Sequence, residues 1–176
     1  VLAQIFALRN ETQLRSGELT GAMPGLGCQA PAIPAQGFIG NAPGLHTRAG
    51  HITAVLDPDG AVRRLPAFVC IDDRTYPSLA LAGIAALAPP TSRSAGFTLQ
   101  PGVGPWAAAW ELTFPALPGL HVGLDAKGHL RVPYAVSRTA LTSVSAAAVL
   151  QDRVPPELLK GAWVLIGASA FGLVDA

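Results

Sequence analysis

The side chains best suited to chemistry in this sequence gather around two short turns and one glycine-serine loop. Asp57-Pro58-Asp59-Gly60 leads to Arg63 and Arg64, and Asp125-Ala126-Lys127-Gly128 leads to His129 and Arg131. Aligned on the aspartates, both turns read Leu-Asp-x-x-Gly-x-x-Arg. Turn chemistry by itself favours that pattern, since Asp opens such turns and Gly closes them, so independent origin is preferred over duplication. A calcium loop needs an oxygen ligand at its fifth position and glycine at its sixth. Ala61 and Val62 stand there, which argues against calcium.

The loop Gly167-Ala168-Ser169-Ala170-Phe171 approaches G-x-S-x-G, the turn that raises a nucleophilic serine above a hydrolase sheet. Phe171 occupies the place of the last glycine, and no histidine follows Ser169 here, although that triad order places acid and histidine after the serine. A serine hydrolase would have to recruit His46, His51, His121 or His129, and an imidazole nitrogen against the Ser169 hydroxyl would be its signature. The four histidines lack the i, i+4 helical spacing of a zinc protease, so no metal is expected. The same loop also reads as a ligand seat at the carboxyl end of a parallel strand. Gly167, Ser169 and Asp175 are then its polar contacts, with Arg63 as charge partner. In a regular strand Arg63 and Arg64 point to opposite faces, and an inward arginine needs a carboxylate, for which Asp57 or Asp175 is available.

The elements that must position these groups are bounded by composition. At 176 residues the chain is about one domain long, half of it hydrophobic and only 13% charged, so it folds rather than staying extended. Twelve Lys and Arg against eleven Asp and Glu leave a net charge of +1, too little field to recruit nucleic acid. The charge-free stretch 19–47 is interrupted throughout by Gly and Pro, and a spanning helix needs about 20 apolar residues in a row. The chain begins at Val1 without a leader pattern and reads as part of a longer protein. Cys28 and Cys70 fit no zinc spacing; they read as two separate buried thiols, or as one disulfide in an oxidising compartment.

Along the chain, residues 2–8 form a short β-capable run. From Glu18 to Leu45 the density of Gly and Pro argues against a helix or a central strand, leaving an irregular segment packed through Met23, Leu26, Ile33, Phe38 and Ile39. Residues 51–56 and 61–71 flank the Asp57 turn as a hairpin, and residues 120–124 and 129–134 flank the second. Pro77 is placed at the start of a buried helix running to Pro89-Pro90, with Asp72 and Asp73 favouring its dipole. Residues 97–99 and 106–114 read as strands. Residues 143–150 read as a helix capped by Thr142 or Ser143, and residues 155–159 as a further helical turn. Ala162 to Ile166 is wholly apolar and reads as a central parallel strand. The expected fold class is α/β, a mixed sheet with a central parallel strand, antiparallel hairpins and a few helices.

Three ordered stretches resemble one family: GHITAVLDPDGAVRRLPAF with YPSLALAGIAAL, GLDAKGHLRVPY with SVSAAAVL, and LLKGAWVLIGASAFGLVD. Together they resemble the CHASE sensor of the second type, the cyclase and histidine-kinase associated sensory extracellular domain of bacteria, over about residues 50–176. The resemblance implies a single extracytoplasmic sensor domain over residues 1–176, without the family's N-terminal portion. It would be tied to the membrane by flanking helices and coupled to an adenylate or guanylate cyclase, a histidine kinase or a Ser/Thr kinase. It implies an unidentified small-molecule or ion ligand, leaves a homodimer open, and carries over no catalytic residue and no cofactor. A protein-interaction module and a Ser169 hydrolase are the alternatives.

Overall fold

The computed structural model describes residues 1–8, 14–23, 27–45, 47–87 and 96–167. The chain divides into two compact units, Val1–Pro133 and Tyr134–Ala176. The first unit opens with strands β1 (Leu2–Ala7), β2 (Arg15–Ser16), β3 (Ile33–Pro34), β4 (Gly37–Ile39) and β5 (Ala49–His51). β6 (Val55–Leu56), β7 (Val62–Pro66), β8 (Phe68–Ile71) and β9 (Arg74–Pro77) lead into helix α1 (Leu79–Ala85). β10 (Thr98–Pro101), β11 (Trp110–Thr113), β12 (His121–Leu124) and β13 (His129–Arg131) complete it. The second unit holds helix α2 (Ala146–Leu150) between 3-10 turns at Arg138–Ala140 and Pro156–Leu158.

These strands form small sheets in the orders β2-β4-β1-β5, β10-β11-β12, β13-β7-β6 and β3-β8-β9. The first and last are mixed: β1 pairs antiparallel with β4 and parallel with β5, and β8 pairs parallel with β3 and antiparallel with β9. The fold is therefore α/β with mixed sheets and few helices, as expected, but its interior strands are others than those anticipated. β8 is buried along its whole length. Because strand side chains alternate between faces, Phe68 joins one core cluster with Leu81, Phe97, Leu112, Phe114 and Leu124. Val69 and Ile71 join a second with Phe6, Ala35 and Tyr76. Ring pairs stack through both clusters, Phe68 to Phe97 at 5.5 Å and Phe6 to Tyr76 at 5.2 Å. Burying a side chain of this size contributes roughly 1.5–3 kcal/mol.

Several expectations are corrected. Ala162 to Ile166 belongs to no strand and is exposed, Leu165 at 87% and Ile166 at 93%. Apolar character fixes a preference for burial but supplies no partner strand, and among the described residues the run pairs with none; its Ala162 amide bonds back to Leu159 O at 3.2 Å. Within 18–45, β4 is an interior strand between β2 and β1, while Pro34 lies in β3 at a sheet edge where its missing donor is tolerated. Phe38 and Ile39 sit in β4; Leu26 lies outside the described residues.

The long hairpin arm 61–71 breaks at Ala67, so β7 and β8 enter different sheets. Asp72 and Asp73 do not precede the helix. They form the two-residue turn between β8 and β9, with φ of 49° and 58°, the left-handed pair that suits such a hairpin. Pro77 ends β9, and Ser78 caps α1 by accepting from the Leu81 amide. α2 starts later than expected, with Ser145 at its N-cap.

The cysteines are joined. Cys28 and Cys70 form a disulfide with Cα atoms 5.3 Å apart, spanning 42 residues. Cys70 is on β8, so the bond ties an exposed loop to the core strand. The reading of two separate thiols fails because a 42-residue separation says nothing about the 5.3 Å approach that the sheet creates.

β5 carries His51 into the core, 2% exposed and edge-on to Phe6. Neither ring nitrogen has a hydrogen-bond partner among the described residues. Burial lowers its pKa from 6.5 to about 4.

Two outcomes follow from these placements. Removing the disulfide, by reductant or by Cys28→Ser with Cys70→Ser, is expected to cost about 2–4 kcal/mol in denaturant unfolding; a double variant as stable as wild type would contradict the bond. Unfolded His51 takes a proton below about pH 6.5 that the folded ring refuses until about pH 4. Stability should thus fall by about 2 kcal/mol between pH 6.5 and 5, and His51→Leu should flatten that window. An unchanged slope in the variant would place the titration elsewhere.

Candidate functional site

Asp57 opens the turn between β6 and β7, its amide bonded to Ala61 O at 3.0 Å and its carbonyl accepting from Gly60 N at 2.8 Å. Gly60 closes the turn at φ 78°, a conformation that favours glycine. Pairing then slips: Val55 faces Arg64 while Leu56 faces Val62, which leaves Arg63 as the extra residue of a bulge. A bulge re-aims its side chain. Arg63 and Arg64 consequently both reach the Asp57 carboxylate, at 3.1 and 2.5 Å, instead of pointing to opposite sides. Asp59 holds Arg63 from the turn itself at 2.7 Å. The Asp57 carboxylate is only 12% exposed. Hydrogen bonds from Arg64 and then Arg63 hold its pKa below the ordinary carboxylate range, and Asp57 in turn keeps Arg64 firmly protonated.

The second turn builds the opposite wall. Asp125 Oδ1 accepts from the amides of Lys127 and His129 at 2.8 and 2.9 Å, and its Oδ2 lies 3.1 Å from His129 Nδ1. Burial pushes this carboxyl up, but the His129 amide and ring more than offset that, so its pKa is lowered. The turn does not close a two-stranded hairpin: β12 pairs with β11, and β13 crosses to pair with β7. That crossing sets Arg131 directly opposite Arg64.

Between these walls lies an open cleft of about 660 Å³, lined by Asp57, Arg63, Arg64, Asp125, His129 and Arg131, together with residues 107–109, Gly123 and Leu124. Its size is that of a small-molecule site, and all of it belongs to the first unit.

Of the residues expected at a site, Arg63 lies in this cleft, paired with Asp57 as one of its two candidate partners. Gly167 is exposed at the end of the unpaired run, so it is not the exit turn of a strand. Ser169, Asp175 and His46 lie outside the described residues. His121 bonds Glu111 at 2.8 Å, His129 bonds Asp125, and His51 is in the core. Arg131 and the Arg64 pairing were missed because nothing in either turn shows that β13 leaves its own hairpin to pair with β7; the shared Leu-Asp-x-x-Gly-x-x-Arg pattern was the available signal.

The first unit thus combines small mixed sheets with a charged cleft whose acids are internally paired. Comparison with protein families matches residues 1–176 to the CHASE2 domain, so the chain belongs to the CHASE2 family, the extracellular sensory domains of signalling receptors. The match includes the first fifty residues, which the sequence motifs did not reach. No curated protein and no solved structure matches the chain.

The arginine clamp on Asp57 makes a measurable prediction. The Asp57 carboxyl should titrate below the usual value of about 3.9 when followed by carbon NMR, and Arg64→Gln should move its midpoint upward. A midpoint indifferent to the substitution would show that the contact does not persist in solution.

Proposed function

We propose that this chain is the extracytoplasmic signal-input domain of a bacterial transmembrane receptor whose output part is an adenylate or guanylate cyclase, a histidine kinase or a Ser/Thr kinase. The observation that carries this reading beyond the family is the Cys28–Cys70 disulfide. Such bonds persist in oxidising compartments and are rare where cytoplasmic thiol reductants act. The sensed molecule occupies the cleft between the two turns, with Arg63 among its contacts. It acts without turnover: a ligand shifts a receptor only by binding one of two conformations more tightly than the other.

The test uses the full-length receptor in cells whose inner membrane is intact. An added protease should cut the domain without lysis, and thiol trapping should find Cys28 and Cys70 oxidised. Protection until lysis, with both thiols reduced, would overturn the assignment to the outer side.

A further inference from the structure

The cleft contains more hydrogen-bond donors than its own acceptors use. Both oxygens of Asp57 are taken by Arg64 and Arg63, and both oxygens of Asp125 are engaged by the Lys127 and His129 amides and the His129 ring. The acids are thus occupied in holding the site together. A guanidinium offers five N–H donors in a fixed fork. Arg64 directs one short bond to Asp57, and Arg131 makes no ion pair or side-chain hydrogen bond among the described residues.

Electrostatics point the same way. Arg64 and Arg131 are cross-strand partners on β7 and β13, and like charges directly opposite each other destabilise a sheet. Asp57, bonded to Arg64, and Asp125, acting through space, offset that repulsion from the Arg64 side. Three arginines line the cleft: Asp57 and Asp59 hold Arg63, Asp57 holds Arg64, and Arg131 has no ion pair among the described residues. Guanidinium forks match the two oxygens of a carboxylate or phosphate.

We propose that the cleft between β7, β13 and residues 107–109 binds a small oxyanion, a molecule bearing a carboxylate or phosphate group, held between Arg64 and Arg131. The anion takes the unused donors and screens the two facing charges. Arg63, fixed by Asp57 and Asp59, flanks the seat without giving up its own pairs. The role of this anion as the sensed ligand rests on the receptor reading above, but binding to the isolated chain needs no membrane, so the two proposals fail separately.

The experiment titrates the purified 176-residue chain at pH 7 with inorganic phosphate and, separately, with malonate, against sodium chloride of equal ionic strength, by calorimetry and by thermal midpoint. Wild type should show a saturable rise with at least one probe. Phosphate alone would assign a phosphate-bearing ligand, malonate alone a carboxylate, and both an oxyanion seat of broad selectivity. Arg131→Gln should weaken binding at least tenfold, yet in chloride it should melt no lower than wild type, because it removes a repulsion. Arg131→Lys should keep the charge, lose the fork and bind with intermediate strength. Arg15→Gln, which removes a pair with Asp72 elsewhere on the unit, should bind as wild type does. The proposal is overturned by no saturable effect of either probe, by equal loss in Arg15→Gln and Arg131→Gln, or by an Arg131→Gln chain that is unstable in chloride.

Discussion

The burial of β8 on both faces is the constraint from which the rest of the first unit follows. Phe68 packs into one core cluster and Val69 and Ile71 into the other, so the four-residue strand cannot shift register without exposing both sets. Cys70 adds a covalent tie to Cys28. A single residue, Ala67, separates this strand from β7. Ala67 is fully buried; its amide donates to Gly128 O at 2.9 Å, and its carbonyl accepts from Ser78 N at 2.8 Å. The strand that carries the arginines, the turn that carries Asp125 and the start of α1 are therefore fastened at one point beside the core.

That fastening matters for recognition. Groups on strands supported by a packed core hold their geometry better than groups on loops, and here Arg64 and Arg131 sit on paired strands, with Asp57 holding Arg64 and Asp125 holding its own turn through His129. Much of the cost of ordering a charged seat is met before a ligand arrives. In the proposed seat, the repulsion between the two arginines is the feature an anion would relieve, which would couple occupancy to strand pairing. Such coupling is what an input domain needs to favour one conformation over another.

What could be read in the sequence was the local chemistry. The two Asp-to-Gly turns, β1, the helix after Pro77 and the strands around residues 98–124 all appear close to their expected places, because each is set by neighbours a few residues apart. Long-range pairing was not legible. The two-residue turn with left-handed aspartates at 72 and 73, the break at Ala67 and the approach of Cys28 to Cys70 depend on which strand finds which partner. The apolar run Ala162 to Ile166 misled for the same reason: five apolar residues favour burial without naming a neighbour. At the site, Arg63 and its partner Asp57 were within reach of sequence reasoning because they are six residues apart. Arg131 was not, since it meets Arg64 only through β13 crossing to β7.

The central claim is that Arg64 and Arg131 form one anion seat on a rigid frame. It is tested most directly by nitrogen NMR of the arginine side chains during titration with inorganic phosphate or malonate. The account requires the Nε–H signals of Arg64 and Arg131 to move together along one saturation curve, while those of Arg15, paired with Asp72, and of Arg48, which donates to Ala85 O at the end of α1, stay still. Signals of all four drifting in parallel without saturating, or Arg64 and Arg131 responding at different concentrations, would contradict it.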